Sequence, residues 1–176
     1  MTVTALSWNS KYSDLIEVGY GTYDIYNQGE GLILLFSLKN PSYPENIIET
    51  TCGVFCLQSS PTRPYIIAVG FFDGSIKVYD VRTKNNTPKY SSEISNKHIE
   101  SIWKIQWLDE DSNGYMNFAS IGAEGKVILW TLVKNELRPS VLLTISRNEY
   151  QKNSFDNLNY GEINATYLRH SNLLGI

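Results

Sequence analysis

Cysteine and histidine are scarce in this chain: Cys52, Cys56, His98 and His170 are all it has in 176 residues. Structural zinc sites usually want a two-residue gap between thiols and a second ligand pair, so cysteines four apart exclude the common zinc folds and read as small hydrophobes of a reducing compartment. Positive charge is also short. Fifteen Lys and Arg lie scattered among eighteen acids, for a net charge of -3, which gives no basic stripe and argues against nucleic acid as a partner. The densest apolar run, Gly31 to Leu38, falls well below the roughly 18 residues that a membrane helix needs. The first eight residues lack the basic and long apolar regions of a secretory signal, so the triplets beginning at Asn85 and Asn164 read as chance matches to a glycosylation site. Helical periodicity is weak throughout.

What is present is a repeat. Three segments share one order of parts: an alternating apolar run, a second run ending at glycine, a turn, then a third run closing on an aromatic. The first contains Val3–Trp8, Asp14–Gly19 and Gly31–Leu38; the second Val54–Leu57, Tyr65–Gly70 and Asp73–Asp80; the third Ile102–Trp107, Asn117–Gly122 and Glu124–Thr131. Gly19, Gly70 and Gly122 return at intervals of 51 and 52 residues. A fourth β-prone stretch follows each copy, at Asn46–Thr51, Lys89–Ile94 and Pro139–Ile145. Four short strands per period of about 50 is the pattern of a propeller blade. The sequence therefore predicts an all-β partial β-propeller of about three four-stranded antiparallel blades, at about residues 1–51, 52–95 and 96–146, followed by a divergent and loosely ordered tail at 147–176. A closed ring normally takes roughly four to eight blades; the chain is expected to be a fragment or one piece of a split propeller.

The third copy resembles the WD-repeat family residue by residue: His98 before the first strand, Ser120 on the second, Glu124 in the tight turn and Trp130 ending the third. The resemblance implies a structural hydrogen-bonded chain through these four side chains, with Glu124 standing where Asp is usual. The second copy keeps the acid, Asp73, and has Tyr79-Asp80 where Trp-Asp is usual, with Ala68 in the hydroxyl position. The first copy has Phe36-Ser37 and no equivalents. Longer strings are more specific: Val18–Gly21, Tyr23-Asp24, Ser37–Pro41 followed by Tyr43–Glu45, Lys97-His98 with Trp103 and Trp107, and Trp130–Lys134. Over roughly residues 3 to 140 the chain is similar to the first half of the propeller in axonemal dynein intermediate chains, and its closing Trp130–Lys134 string favours the outer-arm type.

That resemblance implies a non-catalytic scaffold of a dynein motor complex in the cytoplasm, cytoskeleton and ciliary axoneme. It would bind the tail of a dynein heavy chain and other intermediate and light chains, meet microtubules indirectly, and support arm assembly and ciliary motility. The alternatives are a peptide-binding propeller unrelated to dynein, and a propeller enzyme. His98, Ser120 and Glu124 could be read as a catalytic trio, but the blade pattern makes them structural, and the inner-strand runs are mostly apolar, so no catalytic residue, cofactor or metal site is expected. The acidic run Asp109–Asp111 lacks the alternate spacing of a calcium loop, and the glycines at 19, 21, 29 and 31 lack that of a phosphate cradle. Arg82, Lys84 and Lys89 read as solvated linker charge. Aromatics at a loop rim favour interface hot spots, so Tyr20, Tyr23, Tyr26, Phe71 and Phe72 are the candidate partner-binding residues.

Overall fold

Apolar residues that alternate along a strand bury one face of a sheet, whereas a continuous apolar run implies burial on both. The computed structural model, which describes residues 1–145 apart from 25, 27, 84, 85 and 135, shows both kinds. The expected tail at 147–176 lies outside the described residues. Twelve strands form three separate four-stranded sheets, each an antiparallel meander in chain order. The first holds β1 (Thr2–Trp8), β2 (Leu15–Gly21), β3 (Gly31–Ser37) and β4 (Asn46–Thr50); the middle, β5 (Val54–Ser59), β6 (Ile66–Phe71), β7 (Ile76–Asp80) and β8 (Tyr90–Ser91); the third, β9 (Ile102–Trp107), β10 (Asn117–Gly122), β11 (Lys126–Val133) and β12 (Glu136–Thr144). Among the described residues there is no helix.

The middle sheet accounts for the unbroken run in β6, all six of whose residues are buried. Ile66 and Ala68, with Ile76 and Val78 of β7, pack on Ile105, Phe118 and Trp130 of the third sheet. Ile67, Val69 and Phe71, with Tyr79, pack on Ile33, Leu35 and Ile48 of the first. Fully burying one such side chain stabilises by about 1.5–3 kcal/mol, so these two layers are what stack the sheets. The first strands of successive sheets, β1, β5 and β9, lie side by side. Polar stitches cross between them: Trp107 donates its backbone N–H to Gln58 Oε1 at 3.1 Å and its indole N–H to the Gln58 carbonyl at 2.9 Å.

The recurring glycines mark where sheets approach. A Cβ on Gly19 would stand 2.5 Å from Val54 Cγ1, and one on Gly70 would stand 2.9 Å from Ile102 Cβ, in each case on the first strand of the next sheet. Other expectations shift. The stretch Lys89–Ile94 yields only Tyr90–Ser91 as strand, because the Ser92 hydroxyl accepts the Ile76 backbone N–H at 3.0 Å in place of a carbonyl. β12 begins three residues earlier than expected and carries Pro139, which an edge strand tolerates because one side of its ladder is unpaired.

One buried charge is unusual. Glu17, on β2, has no exposed surface. Asn9 Nδ2 donates to its Oε1 at 3.1 Å and to the Pro64 carbonyl at 2.9 Å, tying the first sheet to the middle one. Glu17 Oε2 is buried without a partner. Burial pushes the carboxyl pKa up to about 7 against the opposing Asn9 hydrogen bond. An acid raised in this way holds its proton longer folded than unfolded, so stability is full below the unfolded value and falls as pH rises from about 4.5 to about 7. Glu17→Gln is therefore expected to raise stability above pH 7 by about 1–3 kcal/mol and to match the parent at low pH. Urea midpoints across that range check it; a gap independent of pH would contradict the assignment.

Candidate functional site

The loop between β8 and β9 brings His98 inward against β10, with 1% of its surface exposed. Trp130, on β11, donates its indole N–H to Ser120 Oγ at 2.7 Å. Ser120, on β10, lies 2.6 Å from His98 Nε2, and His98 Nδ1 lies 2.6 Å from Glu124 Oε1 in the β10–β11 turn. If the Ser120 hydroxyl donates to Nε2 and Nδ1 carries the ring proton, every donor points the same way, from Trp130 to Glu124. Burial works to raise the Glu124 pKa, but the hydrogen bond from His98 holds its carboxyl below the usual range. The longer Glu closes this chain where Asp is usual. Ser120 is fully buried and already engaged on both sides, so it offers no nucleophile to a substrate.

The corresponding residues of the middle sheet do not meet. Asp73 stays in its own turn, accepting from the Ser75 backbone and hydroxyl at 3.0 and 2.6 Å and pairing with Lys97 at 3.5 Å. Tyr79 lies at the far end of β7, buried against the first sheet, and burial lifts its phenol pKa to about 12. In the acidic run, Asp111 Oδ1 accepts the Asn113 and Tyr115 backbone N–H groups, closing the hairpin loop.

The five aromatics expected at the rim divide. Tyr23 and Tyr26 are exposed, at 60% and 98%, in the β2–β3 loop, and Phe72 is half-buried in the β6–β7 loop. Phe71 is a correction: strand pairing continues one residue past Gly70, and Phe71 turns into the core with no exposed surface. Tyr20 is likewise a strand residue, paired with Leu32 and half-buried.

A residue set that the repeat contained but its reading passed over completes the rim. Each first strand carries a β-bulge near its start, opposite the recurring glycine. Pairing jumps from Val3 to Ala5, from Val54 to Cys56, and from Ile102 to Lys104. The extra residues are Thr4, Phe55 and Trp103. A bulge re-aims its side chain out of the ladder. Thr4 Oγ1 donates to the Val54 carbonyl at 2.6 Å, and the Phe55 and Trp103 rings meet edge-on at 5.3 Å. Tyr23 and Phe72 join Phe55 at 6.1 and 6.0 Å. The signal was the aligned second position of the runs Val3–Leu6, Val54–Leu57 and Ile102–Ile105.

Three stacked four-stranded meanders, adjoining along their first strands and closed by loop-to-strand contacts, define blades of a WD40-type propeller. Comparison with known proteins makes this specific. The family model described as the dynein axonemal intermediate chain 3 WD40 domain matches residues 3–126, and the chain belongs to that family. It is 41% identical over 138 residues to dynein axonemal intermediate chain 1 of Bos taurus, covering 78% of this chain and 20% of that protein. It is 42% identical over 144 residues to the 78 kDa intermediate chain of the flagellar outer arm dynein of Chlamydomonas reinhardtii, covering 81% and 21%. To dynein axonemal intermediate chain 4 of Rattus norvegicus it is 35% identical over 140 residues, covering 76% and 17%. The chain thus spans about a fifth of the length of these relatives.

Proposed function

We propose that this chain is the blade-bearing part of a non-catalytic scaffold subunit of an axonemal dynein, and that its propeller docks on the tail of the heavy chain. In this reading the blades supply a rigid surface, the other intermediate and light chains assemble beside it, and the heavy chain performs the ATP-driven work. The site of action is the ciliary axoneme, reached through the cytoplasm, with microtubules met only through the assembled arm. The similarity to a flagellar outer arm chain supports the outer-arm type. The observation that carries the reading is the rim: exposed Tyr23 and Tyr26 beside an aromatic cluster on loops held by a packed sheet stack, the kind of anchor that dominates protein interfaces. The network of His98, Ser120, Glu124 and Trp130 holds the β8–β9 loop against the third blade, Asp73 fixes its own turn in the neighbouring blade and Tyr79 fills the core between blades, and none of them takes part in chemistry. Affinity purification of the tagged full chain from cilia is expected to bring a dynein heavy chain with it; purification without heavy chain would overturn the reading.

A further inference from the structure

The loops fall on two ends of the sheet stack, and their charges differ. The described loops between β2 and β3, β4 and β5, β6 and β7, β8 and β9, and β10 and β11, all at one end, hold Asp24, Glu30, Asp73, Glu93, Glu100 and Glu124 against Lys97, and Lys77 reaches the β4–β5 loop from β7, its Nζ 3.4 Å from Thr51 Oγ1. Lys97 is spent on Asp73. The described loops at the opposite end hold bases and acids in near balance, so the acidic character belongs to one end and not to the whole chain.

The aromatic collar opens on this acidic end. Phe55 sits at its centre, with Trp103, Tyr23 and Phe72 around it at 5.3 to 6.1 Å. Trp103 remains 61% exposed and Tyr23 60%. Asp24 follows Tyr23 directly, and Glu100 precedes Ser101, whose hydroxyl donates to the Phe72 carbonyl at 3.0 Å. Both carboxylates are exposed on the loops beside the collar, and neither makes an ion pair among the described residues; Asp24 Oδ1 accepts the Tyr26 backbone N–H at 3.0 Å. Lys104, one residue further along β9, lines the cleft between the first strands.

Exposed aromatic faces on an acidic end suit one side chain above others. Arginine stacks its planar guanidinium on a ring and still presents donors to carboxylates at the ring's edge, which the compact ammonium of lysine does poorly. We infer that the collar formed by Phe55, Trp103, Tyr23 and Phe72, with Asp24 and Glu100 exposed on the loops beside it, receives an arginine-bearing segment of a partner polypeptide. This rests on the scaffold reading above and adds the chemistry of the partner to it.

The test is selection of random dodecapeptides, displayed on phage, against the full chain. Recovered peptides are expected to be enriched in arginine. Made synthetically, they should bind Trp103→Ala, and separately an Asp24→Asn, Glu100→Gln double variant, about tenfold more weakly than the parent, and the charge-dependent part of that loss should shrink at high salt. The two carboxylates are exposed, so the double variant reads the collar even if Trp103→Ala disturbs folding. Failure to recover binders, recovery of peptides without a basic bias, or equal binding by parent and variants would overturn the inference. Heavy-chain co-purification is scored in parallel. A chain that joins the motor complex while the selection fails leaves the scaffold reading standing without this one, whereas a chain that never joins it removes the scaffold reading itself.

Discussion

Trp130→Ala is expected to lower the unfolding free energy by about 3–5 kcal/mol, a large part of the roughly 5–15 kcal/mol by which a folded domain exceeds its unfolded state. Trp130 is fully buried, stacks on Phe118 at 6.5 Å with an interplanar angle of 19°, and belongs to the layer between the middle and third sheets. Its removal leaves a cavity that two sheets held by their own ladders close poorly. It also removes the indole N–H from Ser120. Trp130→Phe separates these effects: most of the volume stays, only the hydrogen bond goes, and a cost of about 1–2 kcal/mol is expected. Urea denaturation of the parent and both variants measures this. A loss below about 1 kcal/mol for alanine would mean that the third sheet is not held through this face.

Gly74→Ala is expected to cost about 2–5 kcal/mol, from roughly 1–2 for a left-handed alanine and 1–3 for crowding. Gly74 has a φ of 78°, and an added Cβ would collide with the His98 carbonyl and lie 2.7 Å from that of Glu100. Both obstacles are backbone, so no side chain can swing aside. His98 donates its backbone N–H to the Gly74 carbonyl at 3.1 Å; pushing this turn away therefore draws His98 off Ser120. Gly114→Ala is the control, since its φ of 75° is similar but nothing lies within 4 Å of the added atom. It should cost about 1 kcal/mol. Thermal unfolding of the two variants gives the crowding cost by difference, and equal losses would refute it.

The architecture was readable from the chain wherever a residue's pattern reflects its own ladder. The unbroken apolar character of β6 implied burial on both faces, and the return of Gly19, Gly70 and Gly122 gave the period of the three sheets. Reading stopped where a contact depended on the neighbouring sheet. Phe71 looked like a loop aromatic because the run broke at Gly70, yet the glycine is there to admit Ile102 and the strand runs on. The shortness of β8 follows from a serine hydroxyl serving as a ladder acceptor, which no periodicity reports. For the histidine network, identity and order were legible because the third copy resembles the WD-repeat family at those four positions. That Glu124 reaches His98 at 2.6 Å despite its extra methylene depends on the turn's conformation. The collar was missed for a different reason: Phe55 and Trp103 look like core residues of an alternating run, and only the shift in pairing takes them out of it.

Those shifts have a consequence for how such proteins diversify. A side chain excluded from the ladder is not constrained by the cross-strand pairing that fixes its neighbours, so threonine, phenylalanine and tryptophan occupy the same place in three consecutive blades without altering them. Each of the three blades thereby contributes one side chain that can change without disturbing its own ladder, and because Phe55 touches Trp103 and Thr4 bonds the next blade, such changes are felt between blades and not within them.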